Sequence, residues 1–184
     1  MKKEYLATFL LSVITISGLI LSNILGASIT KTNAVNFYDG PKYQATVCVY
    51  KNGELIGCQH NLLTNIGANF TQQQLINPQS VNKTAWITLS TVSGDCTASA
   101  TKLANEITGS GLGKALCTLV SVNASSWSCE KQFTATGSVS NVQVAGYNWN
   151  STAGANDLFA CATFTAVNLE ANDQLTIRWN VTIS

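Results

Sequence analysis

The sequence predicts an all-β protein: a jelly-roll-like β-sandwich with one short helix, preceded by an extended N-terminal segment. Three observations carry that expectation. Charged residues make up 10% of the 184-residue chain, and the surface is left to Thr, Ser, Asn and Gln among Val- and Ile-rich stretches, a mixture that favours strands. The stretch from Leu175 to Ser184 alternates without a break, with Leu175, Ile177, Trp179, Val181 and Ile183 on one face and Thr176, Arg178, Asn180, Thr182 and Ser184 on the other. Asn52-Gly53, flanked by two strand-like runs, accepts positive φ at both turn positions and so predicts a hairpin. The formal net charge of +1 supplies neither a basic field for nucleic acid nor an acidic tail.

The N-terminus precedes this body. Lys2 and Lys3 lead into an apolar run from Leu6 to Leu25 that ends at Gly26-Ala27, the layout of a secretory signal peptide over residues 1–27. Cleavage is expected after Ala27 ahead of Ala34. The run is long enough to span a bilayer, so a retained anchor is the alternative, opposed by the interruptions at Ser12, Thr15, Ser17, Gly18, Ser22 and Asn23. A type IV pilin would be cut before its apolar run, and no Gly or Ala between Lys3 and Leu6 marks such a cut. Contact with the membrane is therefore expected only through a transient signal. Residues 28–42 follow, an extended stretch with no neighbour in sequence to pair with, in which Val35 and Phe37 are the apolar anchors and Asp39-Gly40-Pro41 a turn.

The domain proper is expected over 43–184. Tyr43 to Tyr50 and Glu54 to His60 form the first hairpin. Thr64 and Asn65 are good helix N-caps, and Ile66, Phe70 and the Leu75-Ile76 pair return at helical spacing, predicting one short helix. Ala85 to Val92 is a strand centred on Trp86. Leu103 to Lys114 holds too many glycines for a helix and is expected to be an irregular crossover. Leu116 to Val122 and Trp127 to Thr136 make a second hairpin, Val139 to Trp149 continues the meander, and Leu158 to Val167 and Leu175 to Ser184 complete eight strands. The chain stops on a core strand, so a missing strand is expected from the N-terminal segment, its own or another molecule's.

Cys48, Cys58, Cys96, Cys117, Cys129 and Cys161 lie behind an export-type N-terminus, where an even count points to disulfides. Cys48 and Cys58 flank the Asn52-Gly53 turn and can cross-link the hairpin if its register is offset by one residue. The other four allow three pairings, among which spacing does not choose. Zinc binding lacks partners, His60 being the sole histidine and no pair having CxxC spacing.

No constellation for catalysis emerges. His60 stands at a strand end without a neighbouring nucleophile, Glu106 and Asp173 read as loop hydrogen-bond acceptors, and Gly109, Gly111 and Gly113 lack the Lys-Ser/Thr of a phosphate loop. No enzyme activity and no cofactor are expected. Tyr147 and Trp149 are read as packing residues ahead of a sugar platform. The informative motif is N-x-S/T, at Asn69, Asn82, Asn123, Asn150 and Asn180, each a candidate glycosylation acceptor.

Four stretches together resemble the subunits of archaeal donor-strand filaments, the surface threads and bundling pili of thermophilic archaea: NLLTNIGANF at 61–70, TKLANEITGSGL at 101–112, FTATGS at 133–138 and NDQLTIRWNVTI at 172–183. Similar strings also occur in phage-type β-sandwich structural proteins, which lack an export signal. The resemblance implies a jelly-roll subunit whose N-terminal donor strand, here within Ser28 to Tyr38, inserts into a groove of the next subunit. It also implies heavy N-glycosylation of the filament surface. The high cysteine count departs from the pattern.

The expectation is thus an extracellular, cell-surface filament subunit, exported through a Sec-type signal. Its partners would be identical subunits joined head to tail, with neighbouring filaments or cells beyond them and adhesion or biofilm formation as the setting. The alternative is a monomeric surface adhesin or glycan-binding module in which the same segment pairs with its own body or tethers it to the membrane.

Overall fold

The computed structural model describes residues 43–77 and 82–184; the expectations for the signal peptide and for Val35 and Phe37 lie outside them. The described chain is an all-β sandwich of two five-stranded antiparallel sheets with a single α-helix. In chain order the strands are β1 (Tyr43–Lys51), β2 (Glu54–His60), β3 (Leu62–Leu63), β4 (Trp86–Ser90), β5 (Ala115–Leu116), β6 (Thr118–Asn123), β7 (Ser126–Thr134), β8 (Val139–Asn148), β9 (Leu158–Leu169) and β10 (Gln174–Ile183). The first sheet has the order β2-β1-β10-β7-β6 and the second β3-β9-β8-β4-β5.

Alternation places the core. Leu175, Ile177, Trp179 and Val181 of β10 and Ala45, Val47 and Val49 of β1 point into the sandwich and are buried, as half-buried strands require. Across the interface Trp179 stacks on Tyr147 of β8, with ring centroids 5.2 Å apart. Asn52 and Gly53 both take positive φ at the β1–β2 turn. A bulge between Val49 and Tyr50 then shifts the register by one residue and sets Cys48 opposite Cys58, where they are bonded.

The helix α1 (Asn65–Ile76) begins at Thr64, whose hydroxyl accepts from the Gly67 N–H at 3.0 Å and donates to the Phe159 carbonyl at 3.1 Å. One residue thus caps the helix and ties it to β9. Gly67 allows the close approach, because a Cβ there would stand 1.9 Å from the Phe159 carbonyl oxygen.

The crossover between β4 and β5 is irregular, as its glycines require, and it is firmly fastened. Asp95 accepts from Ser90 Oγ at 2.6 Å and from the Asn105 N–H at 2.9 Å, and Cys96 is bonded to Cys161. Leu103 packs with Val144, Leu158 and Cys161 in a second, smaller core.

Two expectations are corrected. The run from Leu116 to Val122 is not one strand. It breaks at Cys117, whose N–H donates to the Ala85 carbonyl, so β5 stays in the second sheet while β6 enters the first. That break, with the short β3, raises eight expected strands to ten. Residues 139–149 do not continue a meander, since β8 joins β9 and β4 in the opposite sheet from β7. The predicted short helix is present, and α1 turns Gly67 and Phe70 toward β9 while leaving Leu75 82% exposed.

Candidate assembly groove

An aromatic cluster lies under α1. Phe159 is edge-on to Tyr43, Phe70 and Tyr147 at 5.7, 6.0 and 6.0 Å, and Phe70 stacks on Trp149. Such pairs hold rings in fixed relative orientation. Burial raises the Tyr43 phenol to about 12 and pushes Tyr147 up as well, so both stay neutral. Tyr147 donates to the Thr84 carbonyl at 2.7 Å, and Asn61 Nδ2 donates to the Tyr43 hydroxyl.

The described residues do not seal the cluster. A cleft of about 380 Å³ opens between α1 and the end of the first sheet, lined by Tyr43, Leu63, Ala68, Thr71, Leu75 and Ile183. A narrower neck of about 180 Å³ carries it past Phe70, Trp127 and Phe159. It widens to about 550 Å³ between Lys83, Thr84 and the β6 residues Leu119, Val120 and Ser121. Adjacent parts share walls, namely Tyr43, Thr71, Leu75 and Ile183 at one junction and Phe70, Gln74, Thr84 and Trp127 at the other. The result is a continuous apolar trough running from the start of β1 to the free edge of β6.

That edge is unusual. Among the described residues β6 pairs with β7 alone, and its six residues are all exposed, including Leu119 at 45%, Val120 at 50% and Val122 at 66%. The segment TLVSVN carries no charge and no proline, the devices that ordinarily blunt an edge. Cys117–Cys129 and the pairing with β7 hold it rigidly in place.

The other residues singled out in the sequence are dispersed. Asn69 is exposed on α1 and Asn82 just before β4; Asn123 closes β6, Asn150 follows β8, and Asn180 points outward from the middle of the first sheet. Asn123 and Asn150 each accept the N–H two residues on, of Ser125 and Thr152, in tight side-chain turns. His60 is exposed at the end of β2, Glu106 accepts the Gly154 N–H, and Asp173 accepts from Asn52. Tyr147 is fully buried and Trp149 packs on Phe70. The trough itself went unread in the sequence, because its walls lie as far apart as Tyr43 and Ile183. Its one local trace is β6, where adjacent aliphatics Leu119 and Val120 place apolar side chains on both faces of a strand without charge.

All six cysteines are paired, as Cys48–Cys58, Cys96–Cys161 and Cys117–Cys129, which marks an oxidising, extracellular environment. Among the described residues no helix is long and apolar enough to cross a membrane. No protein-family model matches the sequence, and neither the curated proteins nor the solved structures yield a match.

Proposed function

We propose that this protein is the structural subunit of an extracellular filament that polymerises by donor-strand complementation. The segment Ser28 to Tyr38 of one copy adds to the β6 edge of the next, and Val35 and Phe37 enter the trough. The observation that carries this reading is the β6 edge, which no described residue covers, with an apolar trough behind it. An added strand gains main-chain hydrogen bonds from the edge, and its alternate side chains fill the trough. The trough begins at Tyr43, two residues after the proposed donor and its turn, and a head-to-tail contact that does not close on itself grows into a fibre.

The experiment is deletion of residues 28–38 from the exported protein, followed by electron microscopy of native and purified material. Soluble subunits or strand-starved aggregates are expected in place of fibres. Unchanged fibres from the truncated chain would overturn the proposal, and native material that is never fibrous would favour the monomeric adhesin instead.

A further inference from the structure

Beside the wide end of the trough, with which it shares Phe70, Gln74 and Asn82, α1 borders a second groove. Asn69 and Gln73 lie on the helix face turned away from Ala68, Thr71 and Leu75, as the 3.6-residue period requires. The groove measures about 390 Å³, within the range of roughly 300–1,000 Å³ typical of small-molecule sites. Its wall includes a flat aromatic pair, Phe70 stacked on Trp149 with centroids 4.6 Å apart and planes 11° from parallel. The amides of Asn69, Gln73, Asn82 and Asn156 stand around it, and among the described residues no charged one lines it.

From this composition we propose that the groove binds a neutral saccharide. A sugar ring offers an apolar C–H face to an aromatic wall, and its neighbouring hydroxyls both donate and accept. A primary amide answers with one acceptor and two donors. Absence of charge removes any attraction for a phosphorylated or acidic ligand.

The site is also held in shape. Trp149 and Asn156 flank a loop that is tied at its base, where the Asn150 N–H donates to Asp157 Oδ2 at 2.9 Å. Lys114 Nζ donates to both Asp157 oxygens, at 3.1 and 2.9 Å, and to the Thr152 carbonyl at 2.9 Å. Both charged side chains are only 2% exposed. A buried ion pair adds little net stability, and here it fixes the loop that presents the ligand wall. Thr101 Oγ1 donates to Asn156 Oδ1 at 3.0 Å and so orients that amide. Preorganisation of this kind lowers the entropic cost of binding a weak ligand.

The saccharide has two sources, a glycan on another molecule or one carried by this chain at Asn69 or Asn82, which are both sequon residues on the rim. The test uses the full exported chain from a host without N-glycosylation, titrated calorimetrically with neutral gluco-, manno- and galacto-configured tetrasaccharides and with a sulfated oligosaccharide. Saturable binding of a neutral sugar is expected, weakened at least tenfold by Asn156→Ala or Gln73→Ala with melting temperature and fibre formation unchanged. Neither of those residues lines the trough, although Phe70, Gln74 and Asn82 line both, so fibre formation read in parallel keeps the outcome distinguishable from that of the filament proposal. No neutral binding, binding that survives both substitutions, or preference for the sulfated sugar would overturn it. In glycosylated protein, binding that appears only after the glycans are trimmed assigns the groove to the chain's own glycan, and undiminished binding assigns it to an external one.

Discussion

β10 and β6 belong to the same sheet and both are rich in aliphatic residues, yet they lie at opposite extremes of exposure. In β10 the apolar face Leu175, Ile177, Trp179 and Val181 is covered by the second sheet. In β6 Leu119, Val120 and Val122 are about half exposed or more, and nothing among the described residues covers the strand's free edge. An apolar pattern records that a surface is to be covered, and the two strands differ in what supplies the cover. The comparison breaks down if both respond alike to truncation. Trp179→Ala is expected to cost about 3–5 kcal/mol of folding stability in chemical denaturation, as large-to-small changes in a packed core do. Val122→Thr is expected to stay within about 0.5 kcal/mol, as an exposed site should, while fibre formation falls sharply. A large loss of subunit stability from Val122→Thr would mean that β6 is already covered within its own molecule.

The same contrast separates the two faces fastened by disulfides. Cys96–Cys161 holds the irregular crossover onto β9 and spans 65 residues, whereas Cys48–Cys58 staples a hairpin whose ladder is already formed, across 10. In the chain-entropy account these closures are worth about 4 and about 3 kcal/mol. Paired replacement by alanine is therefore expected to lower the melting temperature more for the first bond, and to increase amide exchange at Leu103 and Ile107. For the second, the exchange should stay confined to β2. Equal exchange patterns would show that the crossover holds without its bond.

What the sequence disclosed follows this division. The period of β10 is legible because burial on one face and solvent on the other write an alternation into every second residue. Asn52-Gly53 is legible because few other dipeptides accept its backbone, and Thr64 because a cap is a local chemical need. The passage from β5 to β6 is not legible: ALCTLVSV is one unbroken strand-forming run, and its change of sheet at Cys117 is set by a hydrogen bond to distant Ala85. The exposure of Leu75 is not legible for a similar reason, since helical spacing reports which residues share a face but not which face α1 presents. The trough gathers residues from six strands and α1, and the second groove brings α1 together with Asn82, Trp149 and Asn156 from separate loops. No single window of sequence contains either.

β1 carries the comparison to its smallest scale, because one of its ends borders the trough at Tyr43 and the other is pinned at Lys51. At the pinned end Asn52 Nδ2 donates to Asp173 Oδ1 at 2.8 Å, Lys51 Nζ lies 2.9 Å from Asp173 Oδ2, and the Glu170 N–H donates to the same carboxylate. The hydrogen bond from Asn52, with those from Glu170 and Lys51, holds the Asp173 carboxyl down at about 2, below its ordinary 3.8. A depressed carboxylate favours folding above its ordinary value and loses that contribution as pH falls through the folded one. The window is therefore between 3.8 and about 2. A modest fall in melting temperature is expected there, with faster amide exchange at Asn52 and Gln174 and none at Tyr43. Asp173→Asn should flatten that part of the pH profile. An unchanged slope would place the acid sensitivity elsewhere than at Asp173.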